Sequence, residues 1–89
     1  MKLQVLTPDK VIFEGESKGV QLPGINGSFE ILENHAPIIS ALAHGKVRIT
    51  KADGSVENLL IKGGIVDCLK NKVIVLIEGI QEKKDESNK

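Results

Sequence analysis

Turn-forming residues interrupt this chain every few positions, and no segment between them carries a helical period long enough to matter. Pro8-Asp9, Gly15, Pro23-Gly24, Asn26-Gly27, Pro37, Gly45, Asp53-Gly54, Gly63-Gly64 and Asn71 mark the interruptions. Between them apolar residues recur at every second position: Leu3 and Val5, Val11 and Phe13, Val20 and Leu22, Phe29 and Ile31, Val47 and Ile49. A period of two places one set of side chains on one face of an extended strand. Many short strands of this kind predict an all-β fold, a two-sheet antiparallel β-sandwich of short strands or a flattened barrel.

Taken in order, the first strand ends at Pro8, and Gly15 separates a strand over 11–14 from another over 17–22. Asn26-Gly27 is the dipeptide suited to two positive-φ positions, which predicts a tight turn into a strand over 28–32. Pro37 opens 38–43, whose apolar residues on both faces predict a strand covered on both sides. The clearest hairpin joins 46–50 to 56–61 through Asp53-Gly54. After Gly63-Gly64 a strand over 65–69 turns at Asn71 into the β-branched run 73–77, expected to be central and the most buried. The domain is expected to span 1–81. Residues 82–89, Glu-Lys-Lys-Asp-Glu-Ser-Asn-Lys, hold no apolar residue to dock and are expected to form a disordered tail.

With 89 residues the chain buries roughly 60–65% of its unfolded surface, enough for one core and not two. Its 12 Lys and Arg balance 12 Asp and Glu, so no net field draws in nucleic acid or anionic lipid. Phe13 and Phe29 are the only aromatic residues, which removes the stacking platforms that bases and sugars use. A lone Cys68 excludes a disulfide framework and fits a reducing compartment. Polar residues break the N-terminal segment before an export signal or a membrane span could form.

The chain offers no catalytic set, cofactor motif or metal site. His35, His44 and Cys68 lack ligand spacing. Cys68 shares parity with Val66, which reads as a buried structural thiol. The segment Gly24 to Gly27 is turn chemistry rather than a phosphate loop, because no Lys-Ser/Thr follows and no helix begins there. Asp67, among apolar neighbours, reads as a strand residue that points to solvent or is satisfied by a neighbouring turn rather than as a tuned acid. His35 lies in the loop before Ala36-Pro37, and two readings stay open for it: a ring that satisfies backbone groups in an irregular turn, or a contact to a partner.

The run from Pro23 to Gly45, P-G-I-N-G-S-F-E-I-L-E-N-H-A-P-I-I-S-A-L-x-x-G, resembles the N-terminal domain of the epsilon subunit of bacterial F-type ATP synthase, called delta in mitochondria. The likeness begins at Phe13-x-Gly15, continues through Val47, Arg48 and Ile49 and the Gly63-Gly64 pair, and covers about residues 2 to 81. Glu30 stands where the family usually has glycine, Glu33-Asn34 where it usually has Pro-Gly, and His44 where it usually has proline. Many members continue into a C-terminal helical hairpin; the polar end of this chain resembles the compact form without one.

The resemblance implies a non-catalytic rotor component without a cofactor, held at the foot of the central stalk between the gamma subunit and the c-ring. It implies coupling of proton flow to ATP synthesis, contact with the alpha and beta subunits only indirectly, and a peripheral place on the cytoplasmic face of the bacterial inner membrane. By matching position, Ser28, Glu30 and His35 are candidates near the c-ring and gamma. Leu6, Ile39 and Leu59 break the alternation as apolar residues on an outer face would, and join them as candidate interface residues. A different class of function is an independent small-ligand or peptide-binding sandwich that uses Gly24 to Pro37 as its recognition edge. An enzyme built on His35, Asp67 and Cys68 is a third, and requires those side chains to converge.

Overall fold

The computed structural model describes residues 1–81, and the expected tail at 82–89 lies outside them. The described residues form nine strands and no helix: β1 (Lys2–Thr7), β2 (Lys10–Gly24), β3 (Gly27–Leu32), β4 (Ile38–Leu42), β5 (Gly45–Lys51), β6 (Val56–Ile61), β7 (Gly64–Leu69), β8 (Lys72–Ile77) and β9 (Ile80–Gln81). The all-β sandwich expected from the alternation is present.

β2 organises it. Its first half pairs antiparallel with β1, from Lys10 opposite Thr7 to Glu16 opposite Lys2. Its second half lies between β3 and β5, with Val20 opposite both Ile31 and Ile49. One layer therefore runs β2–β1–β8–β7–β4 and the other β3–β2–β5–β6–β9, and a single strand passes through both. The passage occurs where the register shifts between Ser17 and Gly19. An irregularity there bends the strand and leaves backbone groups without ladder partners. Ser17, buried, supplies them: its hydroxyl lies 2.8 Å from the carbonyls of both Gly19 and Thr50 and accepts the Gly19 N–H at 3.1 Å.

The core lies between the layers and is built from alternate residues, such as Leu3 and Val5 on β1, Val47 and Ile49 on β5, and Val73 and Val75 on β8. The 46–50/56–61 hairpin forms in the register Val47 opposite Leu59 and Arg48 opposite Asn58.

Several expectations are corrected. The segments 11–14 and 17–22 are parts of one 15-residue strand; Gly15 does not end it, because it stays in the ladder opposite Leu3. β1 and β8 run parallel, so the sandwich is not wholly antiparallel; parallel neighbours need a long connection, and here most of the chain provides it. The tight turn between β2 and β3 has Ile25 and Asn26 at its centre, since Gly24 pairs with Gly27, and of these residues only Gly27 has positive φ, 123°. β4 is covered on one face, with Ile39 69% exposed. β8 buries Val73, Val75 and Ile77 but leaves Leu76 44% exposed, so it is central in the ladder without being covered on both sides.

Candidate docking surface

The outer face of the layer containing β1 carries a row of apolar residues. Reading the registers across, Val11, Leu6, Leu76, Ile65 and Ala41 stand side by side on five adjacent strands. Val11, Ile65, Ala41 and Leu76 are exposed and Leu6 is half-buried. The next outward row is mixed, Glu14, Gln4, Ile74, Asp67 and Ile39, and the one after it, Glu16, Lys2, Lys72 and Leu69, is mostly charged. The outer face thus grades from apolar to charged along the strands. The opposite layer differs: Glu30, Gln21, Arg48 and Asn58 form a polar row there. A contiguous uncovered apolar row beside a polar counterpart marks a surface built to meet another molecule.

At the charged end of this face lies the corner that links β3 to β4. The Leu32 carbonyl accepts the His35 N–H at 3.1 Å, closing a turn whose third residue, Asn34, has φ 63°. That position suits glycine or asparagine, so Asn34 keeps the turn that Pro-Gly would form. The His35 Nδ1–H donates to the Ala36 carbonyl at 2.7 Å, and the ring is half-buried. The Asn34 N–H donates to Asn71 Oδ1 at 2.7 Å. Glu33 accepts from the Met1 amine at 2.9 Å; the same amine donates to the Ser17 carbonyl at 3.0 Å and lies 3.5 Å from Glu16.

The hydrogen bond that the amine donates to Glu33 raises its pKa above the ordinary value of 8.0; burial, next in size, opposes the rise, and the charges of Glu33 and Glu16 add to it. A cation whose pKa is raised by folding contributes stability below its unfolded pKa and loses it as pH rises through the folded one. The melting-temperature advantage of the wild type over Glu33→Gln is therefore expected to shrink between about pH 7 and about pH 10. Thermal denaturation at the two pH values checks this, and a constant difference contradicts it.

The structure distributes the sequence candidates unevenly. Ile39 and Leu6 share the outer face of the first layer, and His35 stands at its end. Ser28 and Glu30 are exposed on β3, at the edge of the second layer, away from that face. Leu59 is a correction: it is 6% exposed and belongs to the core. Its register opposite Val47 turns it inward beside Ile61, and leaves Leu60 to break the alternation. Reading the sequence missed Val11, Ile65, Leu69 and Leu76 as surface residues. For Leu76 the signal was the apolar run on both parities of β8, read there as burial on two faces.

The chemical alternatives find no assembly. Cys68 is 2% exposed within the core, and burial pushes its thiol pKa up. Asp67 precedes it on the same strand and so points to the opposite, solvent face. His35 lies in the corner beyond, so the three do not converge. Among the described residues no group of three His, Cys, Asp or Glu could hold a metal ion. The hollow beside the corner, walled by 34–37 and 69–71, is open to solvent and mixes polar, charged and apolar groups, unlike a concave apolar ligand pocket.

Known proteins share this architecture. Residues 1–83 match the family described as ATP synthase, Delta/Epsilon chain, beta-sandwich domain. The ATP synthase epsilon chain of Sulfurimonas denitrificans is 47% identical over 79 residues, spanning 89% of this chain and 61% of that relative. The ATP synthase epsilon chain of Chlorobium limicola is 42% identical over 79 residues, spanning 89% of this chain and 90% of that relative. A chain in the Euglena gracilis mitochondrial ATP synthase, in a structure of OSCP, F1 and c-ring, superposes with a TM-score of 0.83 at 18% identity, over 89% of this chain and 51% of that one. Another in the central stalk and c-ring of the Tetrahymena thermophila mitochondrial ATP synthase gives 0.73 at 18% identity, over 99% and 73%. At that identity these structures speak for the fold.

Proposed function

This chain belongs to the ATP synthase delta/epsilon family, and we propose that it works as an epsilon subunit: a non-catalytic part of the central rotor that joins the gamma subunit to the c-ring and so couples proton flow to ATP synthesis. Its place is peripheral, on the cytoplasmic face of the bacterial inner membrane. The observation that carries the reading is the apolar row Val11–Leu6–Leu76–Ile65–Ala41, contiguous across five adjacent strands of one outer face and uncovered there.

The two outer surfaces divide the partners by chemistry. The apolar row, with Ile39 beside it, suits the gamma subunit, because an apolar centre with a charged margin is the anatomy of a stable protein contact. Ser28 and Glu30, exposed on the β3 edge, suit the polar loops of the c-ring. His35 stands at the end of the gamma-facing surface, and Leu59 takes no part in either contact. A sandwich with a close-packed core transmits load with little deformation, which fits a component that carries torque.

Purifying the intact complex from native membranes through a tag on this chain is expected to bring down the gamma and c subunits together. Recovery of the chain without them overturns the assignment and favours an independent binding module.

A further inference from the structure

We propose that Asn71 is the positioning residue of the docking corner, holding residues 34–37 against the charged end of the outer face. The inference rests on the docking role proposed above and names what sets its geometry. Lys70 and Asn71 form the two-residue turn between β7 and β8, with φ of 53° and 63°. Such a turn requires positive φ at both places, and glycine would serve the backbone there at less cost than asparagine. The asparagine side chain does something glycine cannot do: its Oδ1 accepts the Asn34 N–H at 2.7 Å, across 37 positions of sequence. The backbone carbonyl of the same residue accepts the Lys2 N–H at 3.1 Å.

One residue thereby joins the start of β1, the β7–β8 turn and the β3–β4 corner. Because 34–37 and 69–71 form the two walls of one hollow, the bond sets how far His35 stands from Leu69 at the end of the outer face. The corner's other long-range tie, Glu33 to the Met1 amine, holds the preceding residue. Without Asn71 the segment from Asn34 to Pro37 keeps its local turn and loses its anchor to the face it must align with.

Two substitutions separate this role from simple stability. Asn71→Gly keeps the positive φ and removes the acceptor, whereas Asn71→Asp keeps an acceptor in a residue that also tolerates this backbone. Amide hydrogen exchange at Asn34 is expected to speed up about tenfold in the glycine variant, the scale of one lost hydrogen bond, and to stay near wild type in the aspartate variant. Binding to purified gamma subunit is expected to weaken about tenfold for Asn71→Gly and to change less than about threefold for Asn71→Asp. If gamma binds the wild type and Asn71→Gly equally, or if Asn34 exchange does not respond, the positioning role is wrong and the docking reading stands. If the wild type itself does not bind gamma, the docking reading fails and takes the positioning role with it.

Discussion

Gly64→Ala is expected to lower the melting temperature on the order of 15 °C, from a cost of about 3 kcal/mol and a shift of about 4–8 °C per kcal/mol in a domain of this size. Gly64 opens β7 between Leu42 of β4 and Ile77 of β8, with φ 156°. A Cβ placed there would lie 2.3 Å from the Leu76 carbonyl oxygen and 2.9 Å from the Ile77 Cα. Both obstacles are backbone, so no side chain can rotate aside, and the central ladder of the first layer must open. Gly15→Ala is the contrast: its Cβ would meet only the Phe13 ring, at 3.7 Å, an ordinary contact. That variant should melt close to wild type. Thermal denaturation of the two proteins checks the claim, and a Gly64→Ala protein as stable as Gly15→Ala refutes it.

Leu76→Asp should do the reverse, leaving the fold standing and removing the partner. Leu76 is the middle member of the apolar row, flanked by Leu6 and Ile65, and is 44% exposed. An aspartate there keeps its carboxylate in water in the isolated chain and loses at most about 1 kcal/mol of strand preference. Against gamma it would bury an unpaired charge at the centre of the contact, where single residues account for about 2 kcal/mol or more. Affinity is therefore expected to fall about thirtyfold or more. Asn58→Asp, on the polar outer row of the opposite layer, is expected to leave gamma binding unchanged. Titration calorimetry with purified gamma distinguishes the two faces, and equal affinities for both variants would move the contact elsewhere.

The corner was only partly legible, because its residues depart from the Pro-Gly pair usual there. Glu33-Asn34 in place of Pro-Gly still permits the turn, since asparagine reaches positive φ at modest cost. The hairpin of β5 and β6 was legible, as Asp53-Gly54 and strict alternation agree about it. The anchor to Asn71 was not legible: the two residues stand 37 positions apart, and nothing local in either segment refers to the other.

The amino-acid sequence by itself determined that this chain is all-β, where most turns fall, and which alternate residues of β1, β3 and β5 face inward. These follow from local backbone preferences and from a period of two, which act over a few residues. Only the tertiary structure decided that β2 runs unbroken through both layers, that β1 lies parallel to β8, that Leu59 faces inward, and that Leu76 and Ile65 face out in one row with Leu6. Those outcomes depend on which strands become neighbours and in what register. In Asn58-Leu59-Leu60-Ile61 either leucine could have faced the core, and pairing opposite Val47 chose Leu59. The same pairing logic assembled the docking face, whose members come from β1, β2, β4, β7 and β8 and meet nowhere along the chain.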